Sequence, residues 1–300
     1  RFHPGLRHRL HHPSARCRAL IAMANKTVVR LIAEGMSREV LDWRDAIVTA
    51  GGSISVPTLH SADRFVKSMK GEGIWDKLYM VDLCAGDSLT AALVRLKVPA
   101  GISRTYTNVN FVAADYIERG ASGGLTGNGS SKYLNSGINP SSLGYSVTSF
   151  GMMAYTRTAA AGGTSQVSIG SQASASSNVS VLGWLNAGTQ ETGIIAGVAA
   201  DYPAGSASSL TGLWTVMNNG SQQTQVTRNG AAVGLPSAVA SQAFLNANLF
   251  FHAFNNNGTP ISYASRRLSS KLLTQGLTFT EQLMVYNHLQ LFESALGRSV

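Results

Sequence analysis

The sequence predicts a mainly β protein: a sandwich preceded by a small helical hairpin and followed by one helix. Three observations carry this. Between about residues 110 and 265, short β-prone runs recur at roughly the 8–12-residue interval of a sandwich. Gly, Asn and Ser separate them, and 31 of the 300 residues are Gly. Charged residues make up 13% of the chain, against an average near ~25%. Hydrophobic residues make up 44%, enough for a core under a polar, weakly charged surface.

The net charge is +9, and residues 1–22 supply +5 of it with five Arg and no acid. The same stretch holds His3, His8, His11, His12, Pro4 and Pro13. It reads as a disordered basic tail or an extension upstream of the true start, with a nucleic-acid-binding arm and a targeting peptide as competing readings. Met23-Ala24-Asn25-Lys26 has the look of a natural start. These His lack the Cys partners and i, i+4 pairing of zinc sites. Cys17 and Cys84 are the only cysteines, so no disulfide framework is expected, and Cys84 reads as a core thiol. No run reaches the roughly 18 apolar residues of a membrane span, so no membrane partner is expected.

Residues 23–76 are expected to form a helical docking module. Val40, Leu41, Trp43, Ile47 and Val48 recur at helical spacing after Ser37, a possible N-cap, and Gly51-Gly52 ends the helix. Thr58 is the candidate cap of a second helix with Leu59, Ala62, Phe65, Val66 and Met69 on one face. A hairpin this small must bury its apolar stripe against the rest of the chain or a neighbouring subunit. Trp43, Phe65 and Trp75 are its expected anchors.

Residues 77–300 are expected to form the main domain. Lys77–Leu83 reads as a buried strand or linker, and Leu89–Leu96 as a short helix ending before Pro99. In Gly123–Pro140, glycines at 123, 124, 127, 129 and 137 read as strand, turn, strand, turn, with Asn128-Gly129 as a hairpin signal. Further strands are expected over Ser149–Thr158, Gln166–Gly170, Val179–Leu185, Gly193–Ala200, Leu213–Asn218, Gln222–Asn229, Ala231–Val233 and Leu249–Asn255. Asn229-Gly230 is the second hairpin signal, with Val226 and Val233 facing one way. Thr280 is the candidate cap of a last helix through Leu283, Met284, Tyr286, Asn287, Leu291 and Phe292 to Gly297. Arg298-Ser299-Val300 reads as a short tail.

The stretches GLTGNGSSKYLNSGINP (124–140), MMAYTRT (152–158), VSIGS (167–171), VTRNGAAVG (226–234) and FESALGRSV (292–300), with residues 42–78, carry a resemblance. Over about residues 23–300 the chain resembles uncharacterised structural proteins of tailed bacteriophages and prophages. Their C-terminal part resembles a concanavalin A-like, laminin-G-like jelly roll. The resemblance implies that fold here and a non-enzymatic structural or attachment role in a tail, fibre or head decoration. It also implies synthesis in the bacterial cytoplasm, a place in the virion, other virion proteins as partners and a multicopy or homo-oligomeric assembly. Nucleic acid is not an expected partner.

The residues argue against catalysis. A retaining glycosidase needs two carboxylates about 5 Å apart, which strand alternation supplies at even spacing. Within 120–300 the acids are Glu191, Asp201, Glu281 and Glu293, and two of these lie on the last helix. Asp115 and Glu118 are three apart, so on a strand they would face opposite ways. Phosphate-binding loops and dinucleotide fingerprints are absent from the sequence. No cofactor is expected; for calcium, Asp201 and loop carbonyls are the sole candidates. Recognition of a bacterial surface glycan is the softer alternative, either within the particle or as a free lectin-like module. It would use Tyr202 with Asn218, Asn219, Asn255, Asn256 and Asn257, provided the loops gather at one end. A divergent glycoside hydrolase is the third reading.

Overall fold

A computed structural model describes residues 35–159, 166–172, 179–186, 190–197, 210–220, 224–237 and 242–300, with only the backbone described at 184–186 and 190–192. The basic segment 1–22, Cys17, Asp201 and Tyr202 lie outside the described residues. The chain runs through α1 (Arg38–Thr49), α2 (Val56–Gly71), β1 (Leu78–Asp82), α3 (Leu89–Ala92), β2 (Thr107–Val109), β3 (Tyr116–Ile117), β4 (Gly124–Thr126) and β5 (Tyr133–Asn135). It continues through β6 (Ser149–Thr156), β7 (Ile169–Gln172), β8 (Val179–Asn186), β9 (Gln190–Gly197), β10 (Gly212–Asn219), β11 (Gln225–Arg228) and β12 (Ala231–Ala232). The last elements are β13 (Phe250–Phe251), β14 (Phe254–Asn256), β15 (Thr259–Ile261), β16 (Arg267–Thr274) and α4 (Phe279–Ala295).

The protein is mainly β, a jelly-roll-like sandwich of two sheets. The first sheet has the order β12-β11-β10-β6-β16-β4-β3, with β1 also paired to β16; the second has β15-β14-β7-β13-β5-β2, with β8 and β9 continuing from β7. The chain passes repeatedly from one sheet to the other, so many strand partners, β16 with β1, β4 and β6 among them, lie far apart in sequence. Met152, Ala154, Trp214 and Val216 of the first sheet pack against Leu134, Ile169, Leu182 and Phe251 of the second in one buried cluster. Strand alternation turns Met153, Tyr155, Leu213 and Leu272 to the opposite face, where α1, α2 and α4 cover them. The molecule is therefore three layers deep: helices, sheet, sheet.

The helical hairpin belongs to this outer cluster. Val40, Trp43 and Ile47 of α1 are buried, and the Trp43 indole N–H donates to the Val94 carbonyl at 2.7 Å. The face expected for α2 is the buried one. Its cap is Ser55, whose hydroxyl accepts from the Thr58 amide; Pro57 in the first turn needs no amide partner there. Thr58 instead donates to Glu118 at 3.0 Å. On α4 the cap is Thr278, closed into a capping box with Glu281. Its buried face is Val285, Leu289 and Phe292, whereas Leu283 and Leu291 are exposed.

Four further expectations are corrected. Asn128-Gly129 does not close a hairpin, because β4 and β5 belong to different sheets. The Asn128 side chain accepts from the amides of Ser130, Ser131 and Lys132 and steers the chain across. Leu249–Asn255 is two strands, because His252 sits at φ +63°. β13 pairs antiparallel and β14 parallel to β7. The helix expected over Leu89–Leu96 is the four-residue α3. The final tripeptide is not a loose tail: Arg298 is wholly buried.

Candidate functional site

At one end of the second sheet, β5, β13, the loop before β13 and the β14–β15 turn surround a cleft of about 410 Å³. Asn135, Asn139, Asn246, Asn248, Asn255 and Asn257 line it, with Phe250, Ala247 and Gly258. None of these side chains is ionisable.

Each element has a local reason to present these groups. On β5, Leu134 points into the core, so Tyr133 and Asn135 point outward. On β13, Phe251 is the core residue and Phe250 the outward one, directly opposite Asn135. Asn257 and Gly258 both have positive φ, +47° and +96°, the conformation of a tight hairpin turn. Asn255 anchors that turn: its amide donates to the Asn248 carbonyl at 2.7 Å, and its side-chain oxygen accepts from the Gly258 amide at 2.6 Å.

The lining amides brace one another. Asn139 donates to Asn246 at 2.7 Å, and Asn248 donates to Asn135 at 3.1 Å. An amide offers two donors and an acceptor with two lone pairs. The bonds made leave Nδ2 of Asn135 and Asn246, Oδ1 of Asn248 and the whole Asn257 amide unpaired within the described residues. The cleft is thus a preset array of neutral donors and acceptors, with the largely buried Phe250 ring at its base. Such an array can orient hydroxyl groups, but it has no group to move a proton or coordinate a hard cation strongly.

The residues proposed from sequence do not gather in one place. Asn255 and Asn257 line this cleft. Asn256 accepts from Gln172 at 3.3 Å instead. Asn218 is buried and donates to the Val147 carbonyl at 2.7 Å. Asn219 is exposed, but it lines a different pocket with Met217, Leu277 and Phe279. Sequence reasoning missed Asn135, Asn139, Asn246, Asn248 and Phe250. The available signal was Asn246-Ala247-Asn248, one residue before the aromatic pair Phe250-Phe251. Among the described residues no three His, Cys, Asp or Glu side chains gather as metal ligands, and no helix is long and apolar enough to cross a membrane.

No protein-family model matches the chain, and no curated protein matches it. Among solved structures, it is similar to the NanB sialidase of Streptococcus pneumoniae, as a K499G mutant, at 16% identity and a TM-score of 0.40. That match covers 54% of this chain and 27% of the sialidase. It is similar to a Trypanosoma rangeli sialidase mutant with trans-sialidase activity at 13% identity and a TM-score of 0.47, over 80% of this chain and 40% of that one. It is also similar to domain 4 of AbnA, an extracellular GH43 arabinanase of Geobacillus stearothermophilus solved with arabinotriose. There the identity is 12% and the TM-score 0.37, over 63% of this chain and 83% of that domain. The chain therefore spans about a quarter of the length of the pneumococcal sialidase it matches.

Proposed function

We propose that the chain is a non-catalytic carbohydrate-binding module that takes a neutral glycan in the asparagine-lined cleft. One observation carries the reading: unpaired amide donors and acceptors of Asn135, Asn246, Asn248 and Asn257 face a single open cleft floored by Phe250. Sugar sites need a few placed polar groups and an apolar surface for the C–H face of the ring; the amides supply the first, and the half-buried Tyr133, packed on the largely buried Phe250, supplies the second. Hydrolysis by the usual route needs two carboxylates flanking the bond, and the cleft lining has none. The module binds and does not cut.

The sequence resemblance to phage structural proteins supports a place for this module on a repeated particle. Many weak sites on one particle give avidity that a single millimolar site lacks.

A glycan array carrying neutral and acidic glycans tests the function. Neutral glycans should be retained, and Asn248→Ala, at a half-buried amide, should lose them with an unchanged melting temperature. Retention that is unaffected by Asn248→Ala and Asn257→Ala would place the site elsewhere. Release of reducing sugar from any bound glycan would overturn the non-catalytic part.

A further inference from the structure

We infer that the glycan site continues beyond the cleft onto Tyr133 and Tyr263, and that its ligand is an oligosaccharide chain rather than a terminal sugar. This deepens the carbohydrate reading and rests on it. Phe250 lines the cleft, and its ring centroid lies 4.7 Å from that of Tyr133. Tyr133 in turn lies 6.3 Å from Tyr263, edge to face. Both tyrosines are half-buried and keep part of each ring open to solvent. Their hydroxyls make no hydrogen bond within the described residues. The three rings form a track leading out of the cleft.

Strand alternation explains the track. Tyr133 and Asn135 share the outward face of β5, two residues apart. A ligand whose hydroxyls meet the cleft amides near Asn135 has its next sugar over Tyr133. Ser262, held at φ +51°, fixes the chain just before Tyr263, and its carbonyl is held by the Val167 amide at 3.0 Å.

The track is also neutral. Lys132, next to Tyr133, is paired to Asp115 at 2.5 Å, with both side chains mostly covered; beyond Tyr263, Arg266 is buried and Arg267 donates to the Thr126 hydroxyl at 3.0 Å. The cleft itself is lined by no charged side chain, so it offers no positive charge to a carboxylate sugar. The chemistry selects uncharged chains such as hexans or pentans and gives sialylated or uronic chains no extra affinity.

The test is calorimetry with neutral gluco-, galacto-, manno- and arabino-oligosaccharides of two to five sugars, on wild type and on Tyr133→Leu, Tyr263→Ala and Asn248→Ala. At least one series should bind wild type, tightening about tenfold from disaccharide to tetrasaccharide. Tyr263→Ala and Tyr133→Leu, which keeps an apolar side chain in place, should each remove most of that gain and leave disaccharide binding within about twofold. Asn248→Ala should abolish binding at every length. A length dependence unchanged in both tyrosine variants overturns the track while leaving the cleft intact. Binding by no series to wild type overturns the cleft reading and the track with it.

Discussion

The Lys271 ammonium of β16 stands 3.0 Å from the Asp82 carboxylate of β1, and both side chains are shut off from solvent. Burial works against the Lys271 charge, but the Asp82 carboxylate outweighs it, and the lysine pKa is raised. Asp82 is fully used: it also accepts from the Tyr106 hydroxyl at 2.9 Å and from the Cys84 amide at 2.7 Å. The pair ties an edge strand to the centre of the first sheet.

Breaking that pair from one side strands a charge in the core. Asp82→Asn should therefore destabilise the fold by about 3–5 kcal/mol in urea unfolding. Adding Lys271→Met to the same protein should recover much of the loss, since an apolar replacement removes the stranded charge. A single mutant that loses under about 1 kcal/mol would show the pair to be solvated in solution.

The same ion pair explains what the sequence hid. β16 is the central strand of its sheet, yet Arg267-Leu-Ser-Ser-Lys-Leu-Leu-Thr does not read as one. Its polar residues look like surface until their partners are known, and those partners lie far away: Asp82 for Lys271, Glu293 for Ser270 at 2.6 Å. The amphipathic α1 and α2 were legible because their patterns are local, as was the Asn229-Gly230 hairpin with both residues at positive φ. Asn128-Gly129 has the same dipeptide but changes sheets, a difference set by tertiary pairing. The candidate site was half legible for a similar reason. Asn255 and Asn257 sit in a visible turn, but only the β5–β13 pairing brings Asn135 beside them.

Arg298 closes the C-terminus over the sandwich. Its guanidinium meets both Glu293 oxygens, at 2.7 and 3.1 Å, and donates to the carbonyls of Leu83 and Cys84 at 3.0 and 2.8 Å. A bidentate buried pair of this kind leaves Glu293 stranded when the arginine goes. Deleting residues 298–300, or changing Arg298→Ala, should cost about 3–5 kcal/mol in denaturant unfolding. Arg298→Lys should recover little, because lysine cannot reproduce the fork. Wild-type stability in the deletion would make the tripeptide a tail after all.

Cys84 lies beside this clamp, wholly buried, with its thiol pKa pushed up to about 11 by burial. The thiolate is the reactive form, so both chemistry and access are denied. In a Cys17→Ser background, Ellman's reagent at about pH 8 should find no thiol in the folded protein and one after unfolding. Rapid labelling under native conditions would mean that the core between the two sheets, where Cys84 packs, opens readily.

The acid limb of stability should begin at His252. Its ring is buried, sits edge to face 5.2 Å from Phe111, and has no hydrogen-bond partner for either nitrogen among the described residues. Burial, with Lys271 and Arg266 nearby, lowers its pKa well below the usual 6.5. The folded state therefore holds the neutral ring, while the unfolded chain takes up a proton near pH 6.5. The unfolded state binds more protons below that point, so stability is full above about pH 6.5 and falls as the pH drops toward the folded-state pKa. The slope has a ceiling of about 1.4 kcal/mol per pH unit. The carboxylates whose pKa values are lowered, Glu39, Asp63 and Glu281, start below their ordinary values near 4.5 and 3.8. They act at lower pH and leave the window from about pH 6.5 to 5 to the histidine. His252→Asn keeps a residue that tolerates the φ of +63° and removes the titration. Urea unfolding across that window should lose most of its pH slope in the variant. An equal slope in both proteins would mean that His252 reaches solvent and titrates in the native state.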